Sequence, residues 1–173
     1  MAGNQLGKTF CGAAEAAIHL TGLYPEWWQG RVFDHPVRAW AGSRTAEVTR
    51  DGAQRLLIGE PKHKELWGTG MIPRAQLLNR ALRRGVADAL DFVTVRHASG
   101  GVSSLGFKSY DQGREKWQSE TLDVVWFDEE PPRDIYMEGL TRTNASEGMV
   151  YLTFTPLLGM SEVVAMFLNG ETF

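Results

Sequence analysis

Apolar and polar residues switch between two periods along this chain, and the switches mark its elements. From Thr9 to Leu20, the residues Phe10, Ala13, Ala14, Ala17 and Ile18 recur at helical spacing up to Thr21-Gly22, where a helix stops. Tyr24-Pro25-Glu26-Trp27-Trp28-Gln29-Gly30 follows as an aromatic loop bounded by Pro and Gly. Val37 to Ala41 alternates like a strand, and Arg44 to Ile58 reads as a helix with Ser43 near its cap. Leu77 to Leu90 reads as helical or irregular, which puts Arg80, Arg83 and Arg84 on one face. That face is solvated, with contact to DNA or a neighbouring subunit as the alternative. Asp91 to His97 and Val102 to Tyr110 alternate around Ser99-Gly100-Gly101 and predict a β-hairpin. A helix near Ile135 to Thr143, a strand from Met149 to Thr155 and a helix from Ser161 to Asn169 complete the chain.

One run departs from alternation. Leu122-Asp123-Val124-Val125-Trp126-Phe127 is of strand length and nearly all apolar, then stops abruptly at Asp128-Glu129-Glu130. Such a run predicts a strand covered on both faces, as in a parallel sheet, and ligands in those sheets sit at the strands' carboxyl ends. An acid at that tip suits a hard cation: Asp128 is expected on Mg²⁺, and Glu129 to orient or deprotonate an attacking water. Glu130, before Pro131-Pro132, also reads as a cap of the next helix.

The other half of that chemistry lies 120 residues before Asp128, at Lys8. Gly3-Asn4-Gln5-Leu6-Gly7-Lys8-Thr9 fits the phosphate-cradling pattern, with Ala2 where the leading Gly usually stands. Backbone N–H groups and a helix start make the cradle, so Gly3, Asn4, Gln5 and Gly7 are expected around ATP phosphates. Lys8 would act as a point charge on the outer phosphates, and Thr9 would offer its hydroxyl to Mg²⁺. Gly-Lys-Thr alone is common; its pairing with the acid-tipped strand is what points to nucleotide hydrolysis.

Charge and length narrow the picture. At 173 residues the chain is long enough for one α/β unit and short for two domains. A net charge of −3 argues against a dedicated DNA-binding domain, which is usually basic, so any nucleic-acid contact is local. No apolar stretch approaches the roughly twenty residues of a membrane span, and a secretion signal is not evident at the start, so an intracellular protein is expected. Cys11, the only cysteine, is expected to be a small core residue on the first helix. His19, His35, His63 and His97 lack metal-ligand spacing, and no zinc site is assigned. Only Met1 and Ala2 precede the phosphate loop, so its anchoring strand is expected to be missing, the chain being a fragment or a frame begun at an internal start.

Two further candidates rest on order along the chain. Val150-Tyr151-Leu152-Thr153-Phe154-Thr155-Pro156 ends in hydroxyls about one helical connection after the acid strand. Thr153 or Thr155 would sense the outer phosphate and relay its loss past Pro156. Arg114, in Gln112-Gly113-Arg114-Glu115-Lys116-Trp117, either reaches a phosphate on an adjacent subunit or is an exposed arginine paired with Glu115 or Glu120.

Together these residues resemble the large terminase subunit of tailed bacteriophages, the ATPase that drives DNA into preformed capsids. The resemblance runs through Ala2 to Thr9, Tyr24-Pro25-Glu26-Trp27-Trp28, Gly68-Thr69-Gly70-Met71-Ile72-Pro73, Gly113-Arg114-Glu115, Asp128-Glu129-Glu130-Pro131 and Thr153-Phe154-Thr155-Pro156. It implies a RecA-like P-loop NTPase fold, α/β, with a mostly parallel sheet flanked by helices and lacking its first strand. It implies ATP with Mg²⁺, viral double-stranded DNA, the portal protein and the small terminase subunit as partners, and a pentameric ring in the host cytoplasm at the procapsid portal. Lys8 and Thr9 would sit at the phosphates, Asp128 on metal, Glu129 as catalytic carboxylate, Thr153 to Thr155 as coupling segment, and Arg114 would act in trans. The family's adenine-binding segment would precede the loop and its nuclease domain would lie beyond Phe173, so no DNA cleavage is expected of these residues. The alternatives are a RecA-like helicase or other nucleic-acid-stimulated ATPase, and a non-catalytic nucleotide-binding fragment.

Overall fold

The continuous apolar strand predicted from the sequence lies inside a six-stranded sheet with helices on both faces. A computed structural model describes residues 7–155, 159 and 161–169. Helix α1 (Lys8–Thr21) leads to β1 (Arg38–Ser43), then to a helix in three parts: α2 (Ala46–Thr49), a π-helical turn (Arg50–Gln54) and α3 (Arg55–Ile58). Strands β2 (Leu77–Leu82), β3 (Leu90–Arg96), β4 (Val102–Ser109) and β5 (Val124–Asp128) follow, then α4 (Arg133–Asn144), β6 (Met149–Thr153) and α5 (Glu162–Asn169).

The sheet order is β2-β3-β4-β1-β5-β6. Strands β4, β1, β5 and β6 run parallel, whereas β2, β3 and β4 pair antiparallel. The expected mostly parallel sheet is therefore a mixed one. The reason is local: a connection as short as that between β3 and β4 only reverses the chain, while parallel strands need a long crossover.

Side-chain alternation explains why β5 shows none in sequence. Val124 and Trp126 enter one core, with Ala13, Ala17 and Leu20 of α1 and with Leu57 and Ile58 of α3. Val125 and Phe127 enter the other, with Trp117, Ile135, Tyr136 and Met166. Strand β1 is split the same way, Ala39 and Ala41 against Trp40, and is buried at five of its six positions instead of alternating.

Four expectations are corrected. Leu77–Leu82 is a strand, not a helix, because bulges between Leu77 and Arg80 and between Ala81 and Leu82 erase its two-residue period, and its Leu, Ala and Arg residues favour helices. The arginines here do not share a face: Arg80 of the strand lies over the Trp67 ring at 5.2 Å, and Arg83, just past it, turns inward to donate to the Phe107 carbonyl at 2.7 Å. The helix after β1 is capped by Thr45, which accepts from the Val48 N–H at 3.3 Å, while Ser43 is the last residue of the strand. Cys11 is exposed rather than buried, because α1 packs through its small residues Gly12, Ala13, Ala16 and Ala17 on another face. No helix among the described residues is long and apolar enough to cross a membrane.

That close packing fixes the sign of one substitution. Helix propensity alone favours Gly12→Ala by up to about 1 kcal/mol. A Cβ there would lie 2.6 Å from the buried Trp126 ring, so overpacking wins. Gly12→Ala is expected to destabilise by about 1–2 kcal/mol in chemical denaturation, and a gain in stability would contradict this packing.

Candidate nucleotide site

The carboxyl ends of β1, β5 and β6 and the start of α1 converge on a cavity of about 350 Å³. Alternation places Asp128 on the same side as Val124 and Trp126, facing α1. Thr9 Oγ1 in the first turn of α1 donates to Asp128 Oδ1 at 2.8 Å. Thr153, the register partner of Asp128, donates to that same oxygen at 2.8 Å and accepts from Trp126 Nε1 at 2.7 Å. The two stretches singled out in the sequence, with Thr153, thus meet at one carboxylate oxygen. Gly52 in the π-helical turn lies near the other oxygen, and a Cβ there would sit 3.3 Å from Asp128 Oδ2.

Asp128 is 4% exposed. Burial pushes its carboxyl above the usual range; the Thr9 and Thr153 hydroxyls pull it back, Glu129 pushes it further up, and Lys8 lowers it. Gly7 caps α1 with φ of 75°, a left-handed turn open to glycine, and the first turn of the helix carries no acid. Gly7, Lys8, Thr9 and Phe10 line the cavity, so the positive end of the helix dipole faces it. Gly3, Asn4 and Gln5 lie outside the described residues, as does Pro156; Thr155 lines the cavity.

In a regular strand Glu129 would point away from Asp128. Instead it has φ of 77°, and both acids line the same cavity. Its N–H donates to the Thr153 carbonyl at 2.9 Å, and its carbonyl accepts from the Tyr110 hydroxyl at 2.7 Å. Its carboxylate pairs with Arg44 Nε at 3.0 Å. Arg44 and Tyr110 were missed in the sequence. Arg44 was absorbed into the following helix, although its place one residue past a buried parallel strand is the signal that would have found it. Tyr110 had no local signal.

Two readings are corrected by this geometry. Arg114 does not line the cavity and does not pair with Glu115 or Glu120: its Nε meets Glu138 Oε1 of α4 at 2.7 Å, because the 3₁₀ turn Arg114–Trp117 packs on that helix through the fully buried Trp117. Glu130 does not cap α4, whose N-cap is Pro132; it accepts from Ser161 Oγ, and that hydroxyl caps α5 through the Val164 N–H. No group of three or more His, Cys, Asp or Glu side chains among the described residues is placed to hold a metal by itself.

The family model described as terminase large subunit, T4likevirus-type, N-terminal, matches residues 1–173. The chain belongs to this family. Over 189 aligned residues it is 45% identical to a terminase large subunit of Salmonella phage P22, across 99% of this chain and 38% of that protein. Over 53 residues it is 47% identical to a terminase large subunit of Enterobacteria phage LP7, across 31% of this chain and 11% of that protein. This terminase-family chain therefore spans well under half the length of those relatives. Its fold is similar to the large terminase of a thermophilic bacteriophage, with a TM-score of 0.53 at 11% identity, across 98% of this chain and 44% of that one.

The raised Asp128 carboxyl gives the terminase-family chain an expected dependence of stability on pH. Its folded pKa is raised, so its contribution is full below the unfolded carboxyl value of about 3.9 and is lost as pH rises through the folded value. Asp128→Asn is expected to raise the melting temperature at pH 7 by a few degrees, with the gain fading toward about pH 4. An equal gain at both pH values, or a loss at pH 7, would contradict the assigned cause.

Proposed function

We propose that this chain binds ATP with Mg²⁺ and hydrolyses it as the ATPase part of a phage DNA-packaging motor. The observation that carries the reading is the shared oxygen of Asp128, which puts Thr9, Thr153 and the acid tip around one cavity. The donor set fits Mg²⁺, which takes hydroxyl and carboxylate oxygens, and a buried carboxylate with a raised pKa gains from an adjacent cation. Thr9 and Asp128 would hold the ion, which when bound neutralises phosphate charge. Lys8 and Gly7 bind the outer phosphates, with Gly3, Asn4 and Gln5 completing the cradle.

Glu129 orients the attacking water and accepts its proton, since its left-handed turn aims the carboxylate into the cavity. Thr153 and Thr155 couple the site to the following segment: Thr153 touches Asp128 directly, so a change at the phosphates reaches the end of β6 in one hydrogen bond. Arg114, exposed and outside this chain's own cavity lining, acts on a neighbouring subunit's phosphate. Family membership supports viral double-stranded DNA, the portal protein and the small terminase subunit as partners, in a pentameric ring at the procapsid portal in the host cytoplasm. Membership also favours a packaging motor over a helicase. Residues 1–173 form the ATPase part of the subunit on this reading.

Glu129→Ala is expected to keep ATP affinity within a few-fold while turnover falls at least about 100-fold; Lys8→Ala loses affinity. Full turnover by Glu129→Ala would remove the assigned base. Mixing Arg114→Ala with Lys8→Ala subunits should restore part of the lost activity, and absence of rescue would move Arg114 to a structural role with Glu138.

A further inference from the structure

Glu129 is held in a conformation that an L-residue rarely adopts, and something must hold it there. Its N–H is fixed by the Thr153 carbonyl at 2.9 Å. The other side of the residue is fixed from a third strand. Tyr110 directly follows β4, and its ring is buried between Trp117 and Phe127, with centroids 5.9 and 6.0 Å away. Its hydroxyl lies 2.7 Å from the Glu129 carbonyl, 3.1 Å from that of Gly42 and 3.3 Å from that of Asp128. A phenol has one proton to donate, and the shortest contact takes it. Burial, with the Asp128 and Glu129 carboxylates nearby, pushes this phenol well above its ordinary range, so it stays a donor.

We infer that Tyr110 is a positioning residue for Glu129: its hydroxyl anchors the Glu129 carbonyl and so holds the left-handed turn that points the carboxylate into the cavity. The inference rests on the reading of Glu129 as the group that acts on water. Loss of the anchor lets Glu129 relax to negative φ, and strand alternation then carries its side chain away from Asp128. The Arg44 partner does not prevent this, because it is long and 58% exposed and follows the carboxylate. The hydroxyl of Tyr110 acts on carbonyls at the strand tips rather than on the start of α1, so nucleotide binding persists while turnover falls.

Tyr110→Phe is expected to lower kcat for ATP by about 10- to 100-fold with KM and ATP affinity within about two-fold, since misplacement of a reacting group by about 1 Å has that cost. Amide exchange at Glu129 and Glu130 should quicken while Val124–Phe127 stays protected. Replacement of Tyr110 by 4-aminophenylalanine, which keeps a weaker donor at the same place, should restore part of both. Unchanged kcat and exchange in Tyr110→Phe overturn the inference, as do parallel losses in kcat, KM and melting temperature, which mark a structural role. If Tyr110→Phe does not fold, the 4-aminophenylalanine variant decides: partial loss of kcat with faster exchange at Glu129 supports the anchor, and values equal to the unsubstituted chain overturn it. Glu129→Ala separates the two claims. Full turnover in that variant sinks the role of Glu129, while exchange at Glu129 in Tyr110→Phe still reads whether Tyr110 holds the turn.

Discussion

One oxygen of one buried carboxylate organises this molecule: Asp128 Oδ1 accepts from Thr9 at the start of α1 and from Thr153 at the end of β6. Removing a carboxylate from water costs several kcal/mol, and hydrogen bonds to a charged acceptor return about 1.5–3 kcal/mol each. Burial outweighs those bonds, so the Asp128 carboxyl stays above its usual range. A fold keeps such a group where a ligand completes its coordination. The sheet supplies the placement, because parallel strands end on the same side, and the helix supplies a positive end facing them.

Glu129 shows how neighbouring acids acquire separate tasks. Strand alternation would send adjacent residues to opposite faces, and a single left-handed residue brings both into one cavity. The strain is local, and it is held by groups from two other strand ends, the Thr153 carbonyl and the Tyr110 hydroxyl, while the Arg44 guanidinium follows the carboxylate. The acid tip thus depends on the parallel half of the sheet being in register.

The parts legible in the sequence were those with a local cause. The run Val124–Phe127 announced a doubly covered strand, because each face of β5 meets its own core, and Asp128 was visible as the point where that run breaks. The start of α1 was visible from Gly7-Lys8-Thr9, and the hairpin from Ser99-Gly100-Gly101. What escaped was set by partners far along the chain. Arg44 was hidden because Ser43 and Thr45 both suit a helix cap, and only the pairing of Ser43 with Ser109 of β4 keeps it in the strand. Strand β2 was hidden by its bulges, and Tyr110 by the 19 residues that separate it from the carbonyl it serves. Arg114 is exposed, but its partner is neither Glu115 nor Glu120: Glu138 lies 24 residues on and is brought near by α4 packing beside the Arg114–Trp117 turn. Family membership rests on sequence likeness, whereas the thermophilic phage structure at 11% identity speaks for the fold alone.

Thr9 and Asp128 act on one ligand if the proposed site is right. A double-mutant cycle on Mg·ATP affinity, using Thr9→Val and Asp128→Asn singly and together, measures whether they do. Strong coupling is expected, with the double variant losing at least about five-fold less affinity than the two single losses combined. Strict additivity of the two losses would show that the helix start and the strand tip serve different ligands, and would contradict the proposed site.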